Sequence, residues 1–171
     1  LHGGDWNEEL APLVFFPCGA GQKFEQETRR AAQALSVSMR VCSTARNGLY
    51  SWAAQKEIPA LLLERGGNGR WTTEEVEADC EDVLRLMNHL GIIKEDFNVI
   101  RQTEISKAVY EEAPADGYWF PQVCAGQKVL KDALLGRWKS SDGTQNCDVR
   151  ARFAGRVLYE TTALGVRRND P

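Results

Sequence analysis

The stretch IPALLLERGGNGRW, residues 58–71, constrains the fold more than any other part of the chain. From Ile58 to Leu63 it is apolar without alternation and has the length of a strand. Such a run belongs to a strand covered on both faces, as in the sheets of α/β proteins. A covered strand needs helices nearby, and the preceding residues supply them. PLVFFP is a short apolar run bounded by prolines, and SMRVC is a second strand candidate. Between them, QKFEQETRRAAQAL carries Phe24, Thr28, Ala31, Ala32 and Leu35 on one helical face. GLYSWAAQKE reads as a further short helix. This alternation predicts a layered α/β domain.

The best-defined helix follows the glycines, as TTEEVEADCEDVLRLMNHLG. Thr72 with Glu75 forms a capping box, acidic residues crowd the first turns, and Gly91 is placed to end the helix. Val76, Cys80, Val83, Leu84, Met87 and Leu90 form an apolar stripe expected to be buried. His89 falls in the last turn, where a cation is favoured, and is read that way rather than as a metal ligand. Beyond residue 97 short alternating runs separated by glycine turns replace helical periodicity: NVIRQTEI, KAVYEE, GYWFPQV and RARFAGRVLYETTA. VCAGQKVLKDALLG and TALGVRRNDP echo one another weakly, which predicts a small barrel or sandwich. The expected organisation is an α/β layer over residues 1–97 followed by an all-β domain over 98–171.

Composition narrows the partners. With 171 residues and a net charge of -3, the chain has no basic cluster larger than pairs such as Arg29-Arg30 and Arg167-Arg168, so no nucleic-acid partner is expected. No apolar run approaches the roughly 18 residues that span a bilayer, and the first residues lack a signal-peptide layout. The five cysteines are odd in number, widely spaced and never in a CxxC pair. Reduced thiols in a cytoplasmic protein are the expectation.

Two stretches could carry chemistry. In LHGGD a histidine stands before two glycines, which let backbone approach a bound ion or ligand closely. In ALLLERGGNG an apolar strand runs into Glu64, at the strand end where α/β enzymes tend to place function. The GGNG run has neither the Lys-Ser/Thr ending nor the spacing of a phosphate loop. Taken singly, His2 reads as a surface side chain and Glu64 as a structural carboxylate paired with Arg65 or Arg70.

Taken in order, LHGGD, ALLLERGG, the capped acidic helix, and the tail from GYWFP through AGQKV and GRVLY to TTALGVRRNDP resemble the succinylglutamate desuccinylase/aspartoacylase family. These are zinc-dependent hydrolases related to the zinc carboxypeptidases. The resemblance implies a partial zinc-carboxypeptidase-like α/β layer followed by a hammerhead-like β domain, and hydrolysis of an N-acyl amide bond in an acylated amino acid or related small molecule. It makes His2 a zinc ligand and Glu64 the catalytic base. The family's HxxE motif, which supplies two further ligands, has no counterpart before His2. The chain therefore reads as the C-terminal portion of a longer enzyme, with little zinc binding or activity alone. Arg46, Asn47, Tyr50 and Arg70 are the substrate-binding candidates, with Trp71 beside them. For Tyr50, packing on its own helix is the favoured alternative.

Two other functional classes stand beside this one. The tail also resembles biotinyl and lipoyl carrier domains, but the corresponding turn, SSDGTQN, lacks the acceptor lysine. A noncatalytic binding or interaction module derived from such an enzyme is the main alternative, with pairing of exposed sheet edges giving a homo-oligomer.

Overall fold

The computed structural model describes residues 1–19 and 21–171. In chain order the elements are β1 (Glu8–Leu10), β2 (Leu13–Pro17), α1 (Gln22–Gln33), β3 (Met39–Ser43), α2 (Leu49–Ala54), β4 (Leu62–Glu64), α3 (Thr73–His89) and β5 (Thr103–Ile105). They continue as β6 (Gly117–Pro121), β7 (Lys128–Val129), β8 (Leu134–Ser140), β9 (Asn146–Arg150), β10 (Gly155–Arg156), β11 (Tyr159–Thr161) and β12 (Gly165–Val166). The chain is mixed α/β, and among the described residues no helix follows His89. Among the described residues no helix is long and apolar enough to cross a membrane.

The chain divides into two compact units. The first comprises Leu1–His2, Pro12–Arg65 and Trp71–Ala108; the second comprises Gly3–Ala11, Gly66–Arg70 and Val109–Pro171.

The first unit is built on a four-stranded sheet in the order β4-β2-β3-β5. β2 and β5 both run parallel to β3, while β4 pairs antiparallel with β2, Leu13 opposite Glu64 and Phe15 opposite Leu62. Its core joins Val14 and Phe16 of β2 to Ala32 of α1, with Leu35, Val37 and Leu63. The helical face read from the sequence packs here: Thr28, Ala32 and Leu35 are all buried. The apolar run from Ile58 is a strand only over its last part. Pro59 has no N–H to give a ladder, and Ile58 is 57% exposed.

α3 departs from expectation in orientation. Its capping box forms as read, Thr72 Oγ1 accepting from the Glu75 N–H at 3.2 Å and Glu75 Oε2 accepting from the Thr72 N–H at 2.8 Å. Its apolar stripe is not buried: Val76 is 47% exposed, Val83 43%, Leu84 42% and Leu90 61%. The buried face carries Asp82 and Arg85 instead. Asp82 accepts from Arg65 Nη2 at 2.8 Å and from the Ser36 N–H. Arg85 donates to the Asn98 carbonyl at 2.9 Å and lies over the Phe97 ring. These polar contacts hold that face of the helix inward, together with Leu86, which packs against the core.

The second unit contains a four-stranded antiparallel sheet, β12-β6-β8-β9, and two separate two-stranded ribbons, β1-β11 and β7-β10. No closed barrel forms among the described residues. Trp138 of β8 is buried and donates through Nε1 to the Ala115 carbonyl at 3.0 Å, which explains how an indole is tolerated there. The SSDGTQN turn is organised by Asp142. Its carboxylate accepts from the Ser140 hydroxyl and from the Thr144 N–H and hydroxyl, which hold its pKa down to about 2.

The expectation of reduced thiols is corrected at one pair. Cys18 and Cys42 are joined in a disulfide with a Cα separation of 5.6 Å, while Cys80, Cys124 and Cys147 are free and exposed. Sequence spacing hides this pair because parallel strand pairing, not proximity in the chain, brings them together: Phe16 lies opposite Cys42, and the Cys18 N–H donates to the Ser43 carbonyl.

Candidate functional site

Glu64 is the last residue of β4, and its position follows from the pairing of that short strand with the start of β2. His2 lies beside it in a parallel bridge. The His2 N–H donates to the Leu63 carbonyl at 2.9 Å, and the Arg65 N–H donates to the His2 carbonyl at 3.1 Å. This backbone clamp brings together two side chains 62 positions apart, with His2 Nδ1 2.8 Å from Glu64 Oε2. Glu64 is buried, whereas the imidazole is half exposed. A hydrogen on Nδ1 would donate to this carboxylate, the arrangement in which a carboxylate orients a metal-ligating histidine.

Arg65 does not pair with Glu64. Its guanidinium reaches Asp82 at 2.8 Å and also Asp79, fastening the residue after Glu64 to α3. A buried arginine with two carboxylate partners on an adjoining helix fixes the end of β4, so the catalytic candidate is held by backbone on one side and by this network on the other. The i, i+3 spacing of Asp79 and Asp82 was the available sequence signal.

In the second unit the two glycine stretches meet. A Cβ on Gly66 would lie 3.0 Å from the Gly3 carbonyl oxygen, and one on Gly67 would lie 2.6 Å from the Glu8 carbonyl oxygen. Both glycines have positive φ, 106° and 136°. The approach of the two backbones is therefore open only to residues without a side chain. The GGNG run serves close packing.

The remaining candidates have contacts of their own. Arg46 and Asn47 are exposed in the loop after β3, where their carbonyls accept from Gln55 Nε2 at 2.9 Å and from Ser51 Oγ at 2.7 Å. Tyr50 is anchored by its hydroxyl to Ser43 Oγ at 2.7 Å, and its ring stacks on Phe15 at 6.3 Å. Ser43 lies opposite Pro17, at the far end of β2 from the residue facing Glu64. Arg70 is exposed in the second unit, and Trp71 is 73% exposed in the first.

Among the described residues, the one set of three metal-ligating side chains within reach of each other is Cys18, Glu25 and Cys42, and it does not include His2. The described residues therefore do not by themselves complete a three-ligand zinc centre at His2.

Comparison with known proteins gives structural likeness alone. No protein-family model and no curated protein sequence matches the chain. Among solved structures, it is similar to the ectoine utilization protein EutE (DoeB) of Ruegeria pomeroyi in its product-bound form. The TM-score is 0.86 at 19% identity, over 99% of this chain and 54% of that one. It is also similar to a succinylglutamate desuccinylase/aspartoacylase of Rhodobacter sphaeroides, with a TM-score of 0.82 at 22% identity, over 98% of this chain and 54% of that one. An aspartoacylase family protein of Mesorhizobium loti gives 0.79 at 15% identity, over 99% and 52%. The chain thus shares its fold with structures of the succinylglutamate desuccinylase/aspartoacylase family. It spans about half the length of each.

Proposed function

We propose that this chain is part of a hydrolase that cleaves the N-acyl amide bond of an acylated amino acid or a related small molecule. The observation that carries the reading is the contact between His2 and Glu64 at the end of β4, within a fold shared with deacylase structures. The matched structures are about twice as long, and a zinc ion would need ligands from beyond these 171 residues in addition to His2. The chain's own contribution to the chemistry is therefore that of Glu64.

Amide hydrolysis needs a water oxygen to bond to the acyl carbon while the C–N bond breaks, and the leaving nitrogen must gain a proton. Glu64 can hold that proton between the two events. As a carboxylate it accepts it from the attacking water and then delivers it to the departing amine, a function typically contributing about 10²- to 10⁴-fold in rate. Burial restricts the group to one position, and the hydrogen bond from His2 engages Oε2.

The test uses the full-length enzyme and a small panel of N-acyl amino acids. Glu64→Gln should remove most turnover while the protein stays folded and metal content is unchanged; undiminished turnover excludes Glu64 as the base. His2→Ala should lower bound zinc in metal analysis, and full occupancy excludes it as a ligand.

A further inference from the structure

The sheet of the first unit carries a second cluster of reactive side chains, remote from Glu64. Cys18 follows β2 at the end opposite Leu13, the residue that faces Glu64. Five residues of extended chain separate the two levels, about 16 Å. Cys42 lies on the neighbouring strand β3, and Glu25 sits in the first turn of α1. One ligand atom from each of the three lies within 4.8 Å of the others, and all three residues are half-buried, so solvent reaches them.

The loop and helix around them are arranged for charge. The Gly19 N–H donates to Glu25 Oε2 at 3.1 Å, and Arg29 Nη2 donates to Glu25 Oε1 at 2.7 Å. The guanidinium offsets part of the negative charge that two thiolates and a carboxylate would gather.

We propose that Cys18, Cys42 and Glu25 form a redox-gated site for a thiophilic divalent cation, zinc in the first instance. In the dithiol state the two sulfurs and one carboxylate oxygen supply three ligands, and water takes the fourth position of a tetrahedron. Zn–S bonds of about 2.3 Å set the sulfurs about 3.8 Å apart, a spacing open to residues whose Cα atoms are 5.6 Å apart. Binding releases the two thiol protons. Oxidation closes the site: a low-molecular-weight disulfide takes two electrons from the two thiolates and two protons from water, becomes two thiols, and leaves the Cys18–Cys42 bond and the freed cation. The sulfurs then no longer offer thiolate lone pairs, and the cation leaves.

The test titrates cobalt(II) into anaerobically reduced protein carrying C80S, C124S and C147S, which removes the exposed thiols. One equivalent should bind with a thiolate-to-cobalt charge-transfer band in the near ultraviolet, and alkylation of Cys18 and Cys42 should be slowed. Cys18→Ser should abolish the band, and Glu25→Gln should weaken binding by about tenfold or more. Adding a low-molecular-weight disulfide to the parent protein should remove the band. Absence of the band in reduced protein, its persistence in Cys18→Ser, or equal cobalt binding by the oxidised form overturns the proposal; an unchanged affinity in Glu25→Gln overturns the three-donor site. Far-UV circular dichroism confirms that each variant is folded. His2→Ala leaves a thiolate band untouched, so this result stands apart from the fate of the His2–Glu64 reading.

Discussion

The Arg65–Asp82 pair offers the most demanding test of how the first unit is held together. Asp82 is 1% exposed, and its two oxygens accept from Arg65 and from the Ser36 N–H. Replacing it with leucine strips Arg65 of its most buried partner and leaves the Ser36 N–H without an acceptor. Breaking one side of a buried pair costs about 3–5 kcal/mol, because the remaining charge stays out of water. Asp79, partly exposed, still faces the guanidinium, so the low end of that range, about 3 kcal/mol, is the expected loss. With a urea m-value of about 2 kcal/mol/M, the midpoint should fall by about 1.5 M. The Arg65→Met, Asp82→Leu double variant removes both charges and should recover much of this loss, since apolar replacement of a whole pair is often neutral. Equilibrium unfolding followed by far-UV circular dichroism measures Asp82→Leu, Arg65→Met and the double variant in one double-mutant cycle. A single-variant shift below about 0.3 M, or a double variant that loses the sum of the singles, would refute the claim that this network orients α3.

Three further outcomes are expected. Thr72→Ala removes the α3 cap and should cost about 1 kcal/mol in the same unfolding assay, with no change in m. Leu84→Glu lies on the outward stripe of α3 and should change stability by less than about 0.5 kcal/mol; a loss of several kcal/mol would show that this face is buried after all. Glu160 has its pKa raised, first by burial and then by the facing Glu9 carboxylate, against a lowering hydrogen bond from Trp119. The native state therefore holds this proton to higher pH than the unfolded chain does, and stability falls as pH rises from the ordinary carboxylate value through the raised one. Glu160→Gln should flatten that fall in a pH series of unfolding midpoints, and an unchanged slope would contradict it.

Much of the first unit could be read from residue pattern. The α1 face, the capping box of α3 and the strands around Phe15 and Val41 all follow from local periodicity and capping chemistry, which need only neighbours in the chain. Glu64 could be singled out for the same reason, as a carboxylate closing an apolar run. Its contact with His2 could not be read from spacing alone, because a parallel bridge across 62 positions leaves no periodic trace. The resemblance to a zinc hydrolase family paired the two residues in function. The direct hydrogen bond between them came only from the structure. The Cys18–Cys42 contact was lost for a related reason. Strand register places two residues side by side without any motif between them.

The orientation of α3 shows where pattern reasoning fails on physical grounds. A stripe at 76, 80, 83, 84, 87 and 90 is what an inward helical face looks like, and apolar burial would normally decide the rotation. In this chain the opposite choice satisfies a different constraint. Arg65 follows immediately on the buried Glu64 and is itself buried, so its charge has to be met inside the fold. Asp79 and Asp82 meet it only if their side of α3 turns inward, and Arg85 then finds the Asn98 carbonyl and the Phe97 ring on the same side. Left unpaired, a buried charge of this kind costs about 3–5 kcal/mol, so the inward face of α3 has to keep these partners. The arginine beside the candidate base thus ties the end of β4 to the longest helix. A substitution at Arg65 is expected to disturb the position of Glu64 and the docking of α3 together.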